Sequence, residues 1–422
     1  MRPDVLIVGA GTAGAAAALL CAERGMRVHC IDARPLESAG ARWVNGVPGW
    51  AFDEAGLPRP EPPERLDVDV RFHLIAGEGP SRVTIEDHGL MEVDMRRLVA
   101  RLQSAAARAG VTFQEQVRVL GFDGETLETT AGPLQAGVFV DASGLRGARL
   151  LGSPPVPRDR LCAAAQELRR VRDDQAARAF FAAHDVRPGD VLCFTGLAGG
   201  FSITNLRYDG EHLAILTGSI PAQGNPSGPV MVQDFLRRSP WVGERVFGGA
   251  RAIPLRRPYA VVGRGRVAAL GDAACQVHTA HGSGIAPGLI AARMLADALA
   301  ADEGPAGYNL RWQRRWGGEL ASAEVFCRFS QTLTVDDVRA FAESGIMGPR
   351  LSRAMLAQRP PLEGVADLPR SAWGLARNPA LASRLLPVLT RMARARAHYA
   401  RYPRDPEAVP AWAARLDRIA GA

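Results

Sequence analysis

The chain has 422 residues, 47% of them hydrophobic, which is enough for one large core or two coupled domains. All 51 basic residues are arginines, which excludes a Schiff-base lysine, a phosphate-loop lysine and a lysine general acid. The six cysteines are scattered without a C-x-x-C pair, which argues against a disulfide framework and a structural zinc site. We therefore expect no metal ligands.

Hydropathy and charge indicate the cellular location of the protein and the kinds of partner it binds. No segment has the roughly 18 consecutive apolar residues of a membrane span. The first predicted strand leaves no room for a signal peptide before it, so we expect a cytoplasmic protein without a transmembrane segment. The net charge is +7. We interpret the arginines near the C-terminus mostly as solvated helix faces, with a nucleic-acid or anionic surface as the alternative, and expect no nucleic-acid partner. These arginines are Arg384, Arg391, Arg394, Arg396, Arg401 and Arg404.

The first predicted element is a strand from Val5 to Val8, followed by Gly9-x-Gly11-x-x-Gly14 and an Ala/Leu-rich helix. Gly9 allows a sharp turn, Gly11 lets the backbone approach a pyrophosphate, and Gly14 allows the helix to pack closely on the strand. The helix start offers free N–H groups to phosphates. The next strand ends in Asp32, at the spacing of a carboxylate that binds an adenosine ribose. This stretch predicts a dinucleotide-binding unit.

Residues 40–50 have the composition of a loop and contain two tryptophans, which is typical of a segment lying over a flat ligand. Arg42 is a candidate partner for the pyrophosphate, and a surface arginine is the alternative. Two short strands, over residues 66–74 and 81–86, form a β excursion near residues 60–90. A helix from Val93 through Ala109 then returns the chain to its first domain.

A second apolar strand, beginning near residue 137, ends in Asp141, Ser143 and Gly144. It places a carboxylate and open backbone at the C-terminal edge of a parallel strand, where such sheets bind ligands. Residues from about 156 to 260 differ, because short β-like runs surround a stretch that we predict to be helical from Leu161 to Ala183. This change indicates an inserted α+β substrate domain.

A third strand ends in Gly271-Asp272 and leads to Gly282-Ser283-Gly284-Ile285 at the start of a predicted helix, residues 286–301. The remaining segment, residues 305–422, is predicted to be a helical C-terminal subdomain. The nucleotide-binding domain then consists of residues 1–155 and 261–304, and the substrate domain of residues 156–260.

Taken in order, three motifs resemble the FAD signatures of the flavoprotein class that includes para-hydroxybenzoate hydroxylase, flavin-dependent halogenases and geranylgeranyl reductases. They are Gly9-x-Gly11-x-x-Gly14 with Asp32, then Asp141-Ala142-Ser143-Gly144, then Gly271-Asp272-Ala273-Ala274. The resemblance implies an α/β fold, with a Rossmann-like FAD-binding domain, an inserted α+β substrate domain and a helical C-terminal region. Geranylgeranyl reductases are the nearest branch, because Gly284-Ile285 is similar to their Gly-Ile step. Halogenases share that step but depend on a lysine, and this chain has none.

The resemblance also implies roles for single residues. Asp32 binds the adenosine ribose, Asp272 binds the ribityl or pyrophosphate region, and the N–H groups around Gly282 face the flavin pyrimidine edge. The complete predicted FAD-binding set is Gly9, Gly11, Ala13, Gly14, Asp32, Ala33, Arg42, Asp141, Gly271, Asp272, Gly282, Ser283, Gly284 and Ile285.

The predicted function is that of an FAD-dependent oxidoreductase, with hydride transfer between the flavin N5 and an apolar or conjugated small molecule. The alternatives are a monooxygenase that acts through a flavin hydroperoxide and a non-catalytic flavin- or lipid-binding protein. His281 and His278 are the catalytic candidates, since histidine has a pKa of about 6.5. The alternative to a catalytic role is that both side chains only hydrogen-bond the loop.

The remaining expectations concern the partners. No second G-x-G-x-x-G is present in the sequence, so the electron donor is either NAD(P)H, bound transiently, or a redox protein. The substrate is expected to be hydrophobic and to lie in an apolar pocket between the FAD-binding and substrate domains. The candidate lining residues are Trp43, Trp50, Phe194, Phe201 and Tyr259.

Overall fold

The structure is a computed structural model, and it describes residues 2–66, 70–197, 200–359 and 368–421. Its strands are β1 (Val5–Val8), β2 (Val28–Ile31), β3 (Val44–Pro48), β4 (Phe72–Ala76), β5 (Arg82–Ile85), β6 (Leu90–Asp94), β7 (Thr112–Gln114), β8 (Val119–Phe122), β9 (Thr126–Thr129), β10 (Gly132–Gln135), β11 (Val138–Asp141), β12 (Leu161–Val171), β13 (Val191–Thr195), β14 (Ile203–Tyr208), β15 (His212–Ser219), β16 (Val242–Pro254), β17 (Gly263–Arg264) and β18 (Val267–Ala269).

The α-helices are α1 (Thr12–Ala22), α2 (Gly49–Ala55), α3 (Met95–Arg108), α4 (Asp174–Ala183), α5 (Gly228–Arg238), α6 (Ile285–Ala300), α7 (Gly304–Trp312), α8 (Gly318–Ser330), α9 (Val335–Glu343), α10 (Pro349–Leu356), α11 (Leu368–Arg377), α12 (Pro379–Tyr399) and α13 (Val409–Ala420). Within the described ranges, none of these helices has the length and hydropathy needed to cross a membrane.

A six-stranded sheet in the order β17-β18-β11-β1-β2-β7 forms the centre of the first layer. Strands β18, β11, β1, β2 and β7 are parallel, so the carboxyl ends of β1, β2, β11 and β18 meet at one edge. Helix α1 packs closely on this sheet: a Cβ on Gly14 would lie only 1.8 Å from the Gly9 carbonyl oxygen. The predicted helix–strand packing role of Gly14 therefore has a direct steric basis.

A seven-stranded sheet in the order β16-β12-β15-β14-β13-β4-β5 forms the second layer. Its last two strands, β4 and β5, come from the predicted β excursion, and β4 pairs in parallel with β13. The predicted strand over residues 66–74 is observed only from Phe72, and its residues 67–69 lie outside the described residues. The excursion thus supplies one end of the second sheet.

The predicted helix from Leu161 to Ala183 is wrong over its first half. Residues Leu161–Val171 form strand β12, which pairs with β15 and β16, and the helix α4 begins only at Asp174. The run of three alanines favours a helix locally, but the pairing of β12 with two strands more than 40 residues away overrides that preference.

The seven-stranded sheet has two different faces because successive side chains alternate. One face packs against α4 and α5 in an apolar cluster that includes Leu192, Ile215, Phe181 and Phe235. The other face remains open, and it forms a wall of the cavity described below. The C-terminal helices pack among themselves and close part of this open side.

Candidate functional site

One large cavity, of about 1170 Å3, connects the two sheets and the C-terminal helices. It begins at the carboxyl edge of the six-stranded sheet, passes the start of α6, and continues over the open face of the seven-stranded sheet. Among the predicted FAD-binding residues, all except Gly14, Arg42 and Asp141 line it.

The start of α1 forms the first part of the site. Gly9 has φ +107°, and a Cβ there would lie 2.3 Å from the Ala142 carbonyl oxygen, so the position requires glycine. Gly11 is the N-cap of α1, and no side chain caps the helix. The first-turn N–H groups are therefore available to an anion, while Gly11 and Ala13 line the cavity.

Asp32 follows β2 and is held in one orientation. Its carboxylate accepts hydrogen bonds from the backbone N–H groups of Ala10, at 2.8 Å, and Arg34, at 2.9 Å. The residue is 7% exposed and lines the cavity together with Ala33. Each carboxylate oxygen keeps a further lone pair, so the group is placed to accept hydrogen bonds from ribose hydroxyls.

The prediction that Asp141 binds the cofactor does not fit its contacts. Its carboxylate accepts hydrogen bonds from the N–H of Ser143, at 3.1 Å, from the Ser143 hydroxyl, and from the N–H of Leu150, at 3.0 Å. It lies outside the cavity lining, whereas Ser143 and Gly144 line the cavity. Asp141 thus shapes the loop that follows β11.

Asp272, which follows β18, has a different environment. Among the described residues, none donates a hydrogen bond to its carboxylate, which lines the cavity beside Gly271. Burial raises the pKa of Asp272 to about 6, and the charge of Arg251 partly opposes this effect. A desolvated carboxylate of this kind suits the hydroxyl groups of a ribityl chain.

The loop before α6 forms the far end of the predicted cofactor site. Gly284 is the N-cap of α6 and has no side-chain cap, and Gly282, Ser283 and Ile285 also line the cavity. The hydroxyl oxygen of Ser283 is buried and has no hydrogen-bond partner among the described residues. An unpaired hydroxyl beside an uncapped helix start fits the polar edge of a flavin.

The two histidines occupy different places. His281 lines the cavity, and its Nε2 lies 2.7 Å from the carbonyl oxygen of Met355 at the end of α10. His278 lies outside the lining, with its ring centroid 4.9 Å from that of His281. Burial lowers the pKa of both, and that of His278 falls well below its usual value, so both are neutral at pH 7.

Arg42 lies outside the cavity lining, and its guanidinium donates a hydrogen bond to the Glu37 carbonyl at 2.5 Å. Its predicted place beside the pyrophosphate stays a prediction. Arg251, from β16 of the second sheet, lines the cavity and donates to the carbonyl of Gly40. Gly40 lies beside Gly11, since a Cβ built on Gly40 would be 3.3 Å from Gly11 Cα. The hydrogen bond to Gly40 therefore brings the Arg251 guanidinium near the start of α1. Sequence patterns gave no signal for this residue, because β16 follows α1 by more than 200 residues.

Five aromatic residues were predicted to line the substrate pocket, and two of them do. Trp43 and Phe201 line the cavity. Trp50 instead stacks on Trp316 at 5.7 Å, Phe194 is in the core between the second sheet and α4, and the Tyr259 hydroxyl donates to the Pro154 carbonyl at 2.5 Å. Helices α8, α9 and α10 and the loop between α8 and α9 supply lining residues that were not predicted: Phe326, Leu333, Phe341 and Met355.

Comparison with known proteins also indicates an FAD-binding protein. A family model described as FAD binding domain matches residues 4–50. The chain is an FAD-dependent oxidoreductase with a Rossmann-type flavoprotein fold, which confirms the predicted cofactor, fold class and enzyme class.

Three individual relatives are similar to most of this chain. The chain is 28% identical to digeranylgeranylglycerophospholipid reductase of Methanothrix thermoacetophila, over 82% of this chain and 91% of that protein. It is 24% identical to the protein of the same name from Sulfolobus acidocaldarius, over 99% and 97%. A geranylgeranyl bacteriochlorophyll reductase-like structure from Thermoplasma acidophilum aligns with a TM-score of 0.70 at 16% identity, over 92% of this chain and 99% of that one. The predicted resemblance to geranylgeranyl reductases is thus confirmed.

Proposed function

We propose that the protein reduces carbon–carbon double bonds in the isoprenoid chain of a lipid. The observation that carries this proposal is the continuity of the 1170 Å3 cavity from Asp32, past Gly282, to the open face of the second sheet. Pockets for a single small ligand usually have volumes of about 300–1,000 Å3. The cavity therefore has room for a second, elongated molecule beside FAD.

The chemistry of the far wall supports an apolar substrate. Leu74 and Ile85 from the sheet, Phe341 from α9 and Leu333 from the loop before α9 all line this part of the cavity. An isoprenoid chain carries no hydrogen-bonding groups, so a wall of this kind binds it through burial of about 0.8 kcal/mol per methylene group. The names of the relatives, which specify geranylgeranyl lipids, support the same substrate class.

The cofactor end is proposed to use the residues that line the first part of the cavity. Asp32 binds the adenosine ribose, the start of α1 and Arg251 bind the pyrophosphate, and Asp272 binds the ribityl hydroxyls. Ser283 and the start of α6 bind the pyrimidine edge. FAD, when bound and reduced, supplies the hydride. NAD(P)H or a redox protein is the proposed electron donor.

His281 is the proposed group for the proton that accompanies the hydride, because it lines the cavity next to Gly282. Nε2–H donates a hydrogen bond to the Met355 carbonyl oxygen, so Nδ1 of the neutral ring carries no proton. Nδ1 would take a proton from solvent water and pass it to the substrate carbon that does not receive the hydride. His278 is proposed to shape the loop, through its backbone pairing with Ser283.

The test is a single turnover without oxygen. The FAD-loaded protein is reduced and mixed with a geranylgeranyl-bearing lipid, and the flavin absorbance and the mass of the lipid are followed. The proposal expects reoxidation of the flavin and, for each flavin reoxidised, a gain of two hydrogens by the lipid, which is one reduced double bond. A product that gains oxygen in air would show a monooxygenase instead, and bound lipid without turnover would show a carrier.

A matched pair of variants locates the substrate. Ala342 on α9 lines the cavity, and Ala182 on α4 is exposed. Ala342→Phe is expected to lower the affinity for the lipid without releasing FAD, while Ala182→Phe leaves both unchanged. Equal lipid affinity in the two variants would contradict the proposed place of the isoprenoid chain.

A further inference from the structure

The surface formed by α11 and α12 differs in composition from the rest of the chain. Residues 368–404 contain no aspartate or glutamate, whereas the whole chain has 44. The same segment has eight arginines: Arg370, Arg377, Arg384, Arg391, Arg394, Arg396, Arg401 and Arg404. The segment therefore carries a strong local positive charge.

Helix α12 has two apolar faces. Leu381, Leu385 and Val388 are buried in a cluster that also contains Phe329 of α8. A second stripe, about 120° around the helix from the buried one, repeats apolar residues at a spacing of three or four: Leu386, Leu389, Ala393 and Ala397. All four are exposed, Leu386 by 51% and Leu389 by 43%. A helix that faced only water would have polar residues there.

Helix α11, which packs against α12, carries an exposed tryptophan. Trp373 is 60% exposed, and the guanidinium carbon of Arg377 lies 4.4 Å from its ring centroid. The other exposed large hydrophobic side chains of the described residues, Leu66, Leu120, Val230 and Val246, are scattered over four separate segments. Exposed apolar side chains are thus concentrated on α11 and α12.

The arginines of this surface divide into two groups. Arg384 pairs with Asp337 at 2.6 Å, and Arg396 pairs with Glu319 at 2.7 Å, so these two hold α12 on the helices beneath it. Within the described part of the chain, Arg377, Arg394 and Arg401 have no carboxylate partner. Their charge is available to a partner outside the molecule.

We propose that α11 and α12 form a binding surface for an anionic lipid membrane, on which the protein lies without crossing it. Interfacial helices combine an apolar stripe, a tryptophan and many cations, and this surface has all three. Leucine side chains would enter the acyl region while the arginines extend to the lipid phosphates. A nucleic acid would leave Leu386 and Leu389 exposed, so it fits this surface less well.

The position of the surface relative to the cavity agrees with this role. The buried side of α12 packs, through Leu385, on a cluster that contains Phe329 and Leu333. Leu333 also lines the cavity. One layer of helices thus separates the surface of α11 and α12 from the cavity. The inference does not depend on the reaction proposed above, because membrane binding is measured without turnover.

The test uses the full-length, FAD-loaded protein and two kinds of vesicle, phosphatidylcholine alone and an equal mixture with phosphatidylglycerol. We expect co-sedimentation with the anionic vesicles only, and weaker binding as salt is added. Replacing Arg377, Arg394 and Arg401 together by glutamine is expected to weaken binding about 100-fold, since each arginine near an anionic surface contributes about fivefold. The control replaces exposed arginines elsewhere, Arg108 and Arg172, and is expected to bind as the wild type does.

The apolar part of the surface has its own test. Leu386→Ser with Leu389→Ser is expected to weaken vesicle binding at least tenfold, and Val230→Ser with Val246→Ser is the control. Tryptophan emission should shift to shorter wavelength on anionic vesicles in the wild type, and a large part of this shift should be lost in Trp373→Phe. Equal binding to both vesicle types, unchanged binding of the arginine or leucine variants, or binding to mixed-sequence RNA but not to vesicles would each overturn the proposal.

Discussion

Replacing Asp272 by asparagine is expected to stabilise the FAD-free protein at neutral pH and to weaken FAD binding. The carboxylate lines the cavity and receives no hydrogen bond from any described residue. Keeping it ionised without FAD is therefore costly, and asparagine removes that cost. The hydroxyl groups of bound FAD would lose a charged acceptor, so its affinity should fall about tenfold to a hundredfold.

The size and the sign of the stability effect follow from the pKa. Burial raises the pKa of Asp272 from 3.8 to about 6, a difference that corresponds to about 3 kcal/mol. Because the folded protein binds this proton more tightly than the unfolded chain, stability falls as pH rises between these two values. The cost is absent below pH 3.8 and complete above about pH 6. The gain from Asp272→Asn should grow over the same interval, to at most about 3 kcal/mol.

Urea unfolding of both FAD-free proteins, followed by circular dichroism at several pH values, measures this difference. Asp141→Asn is the control, because the Asp141 carboxylate accepts hydrogen bonds from the Ser143 and Leu150 N–H groups. That variant should be less stable than the wild type at neutral pH, by about 1–3 kcal/mol. If Asp272→Asn were destabilising by the same amount at every pH, Asp272 would have a stabilising partner and the reasoning would be refuted.

Three further predictions concern single residues. Arg251→Gln should weaken FAD binding about tenfold and reduce the dependence of this binding on salt, which fluorescence titration measures. The control is Arg245→Gln on the same strand, where Arg245 lies 3.7 Å from Glu167, and it should leave the affinity and its salt dependence unchanged. His281→Ala should lower the rate per bound FAD about 100-fold, and an equal rate per flavin would remove its catalytic role. Asp32→Ala should cost roughly 1.5–3 kcal/mol of FAD affinity by calorimetry, and unchanged affinity would contradict its assignment to the ribose.

Local motifs predicted the strand, turn and helix at the proposed cofactor end. The positive φ of Gly9, the close packing of Gly14 on Gly9 and the ordered carboxylate of Asp32 depend on residues near one another in sequence or on the neighbouring strands β1 and β2. Their spacing is fixed by the geometry of a strand, a turn and a helix, so it is visible in a single sequence.

The substrate end could not be predicted in the same way, because its walls come from distant segments. Strand β4 pairs with β13, more than 100 residues later, and α9 lies over the cavity after another 140 residues. Helical periodicity identifies an apolar face but does not identify what that face contacts. The same limit explains Trp50 and Phe194, whose size suggested a ligand pocket but whose partners are Trp316 and the core.

Asp141 and Asp272 show most directly where sequence reasoning stops. Asp141 ends β11 and Asp272 lies three residues after β18, a neighbouring parallel strand of the same sheet, so the sequence predicts that both bind the cofactor. The loop after Asp141 folds back and brings the N–H of Leu150, nine residues later, to its carboxylate, which satisfies the charge within the chain. The loop after Asp272 makes a turn whose N–H groups bond to backbone carbonyls instead, so its carboxylate remains available to a ligand. The difference between a structural and a binding carboxylate therefore lies in the path of the following loop, which depends on tertiary packing.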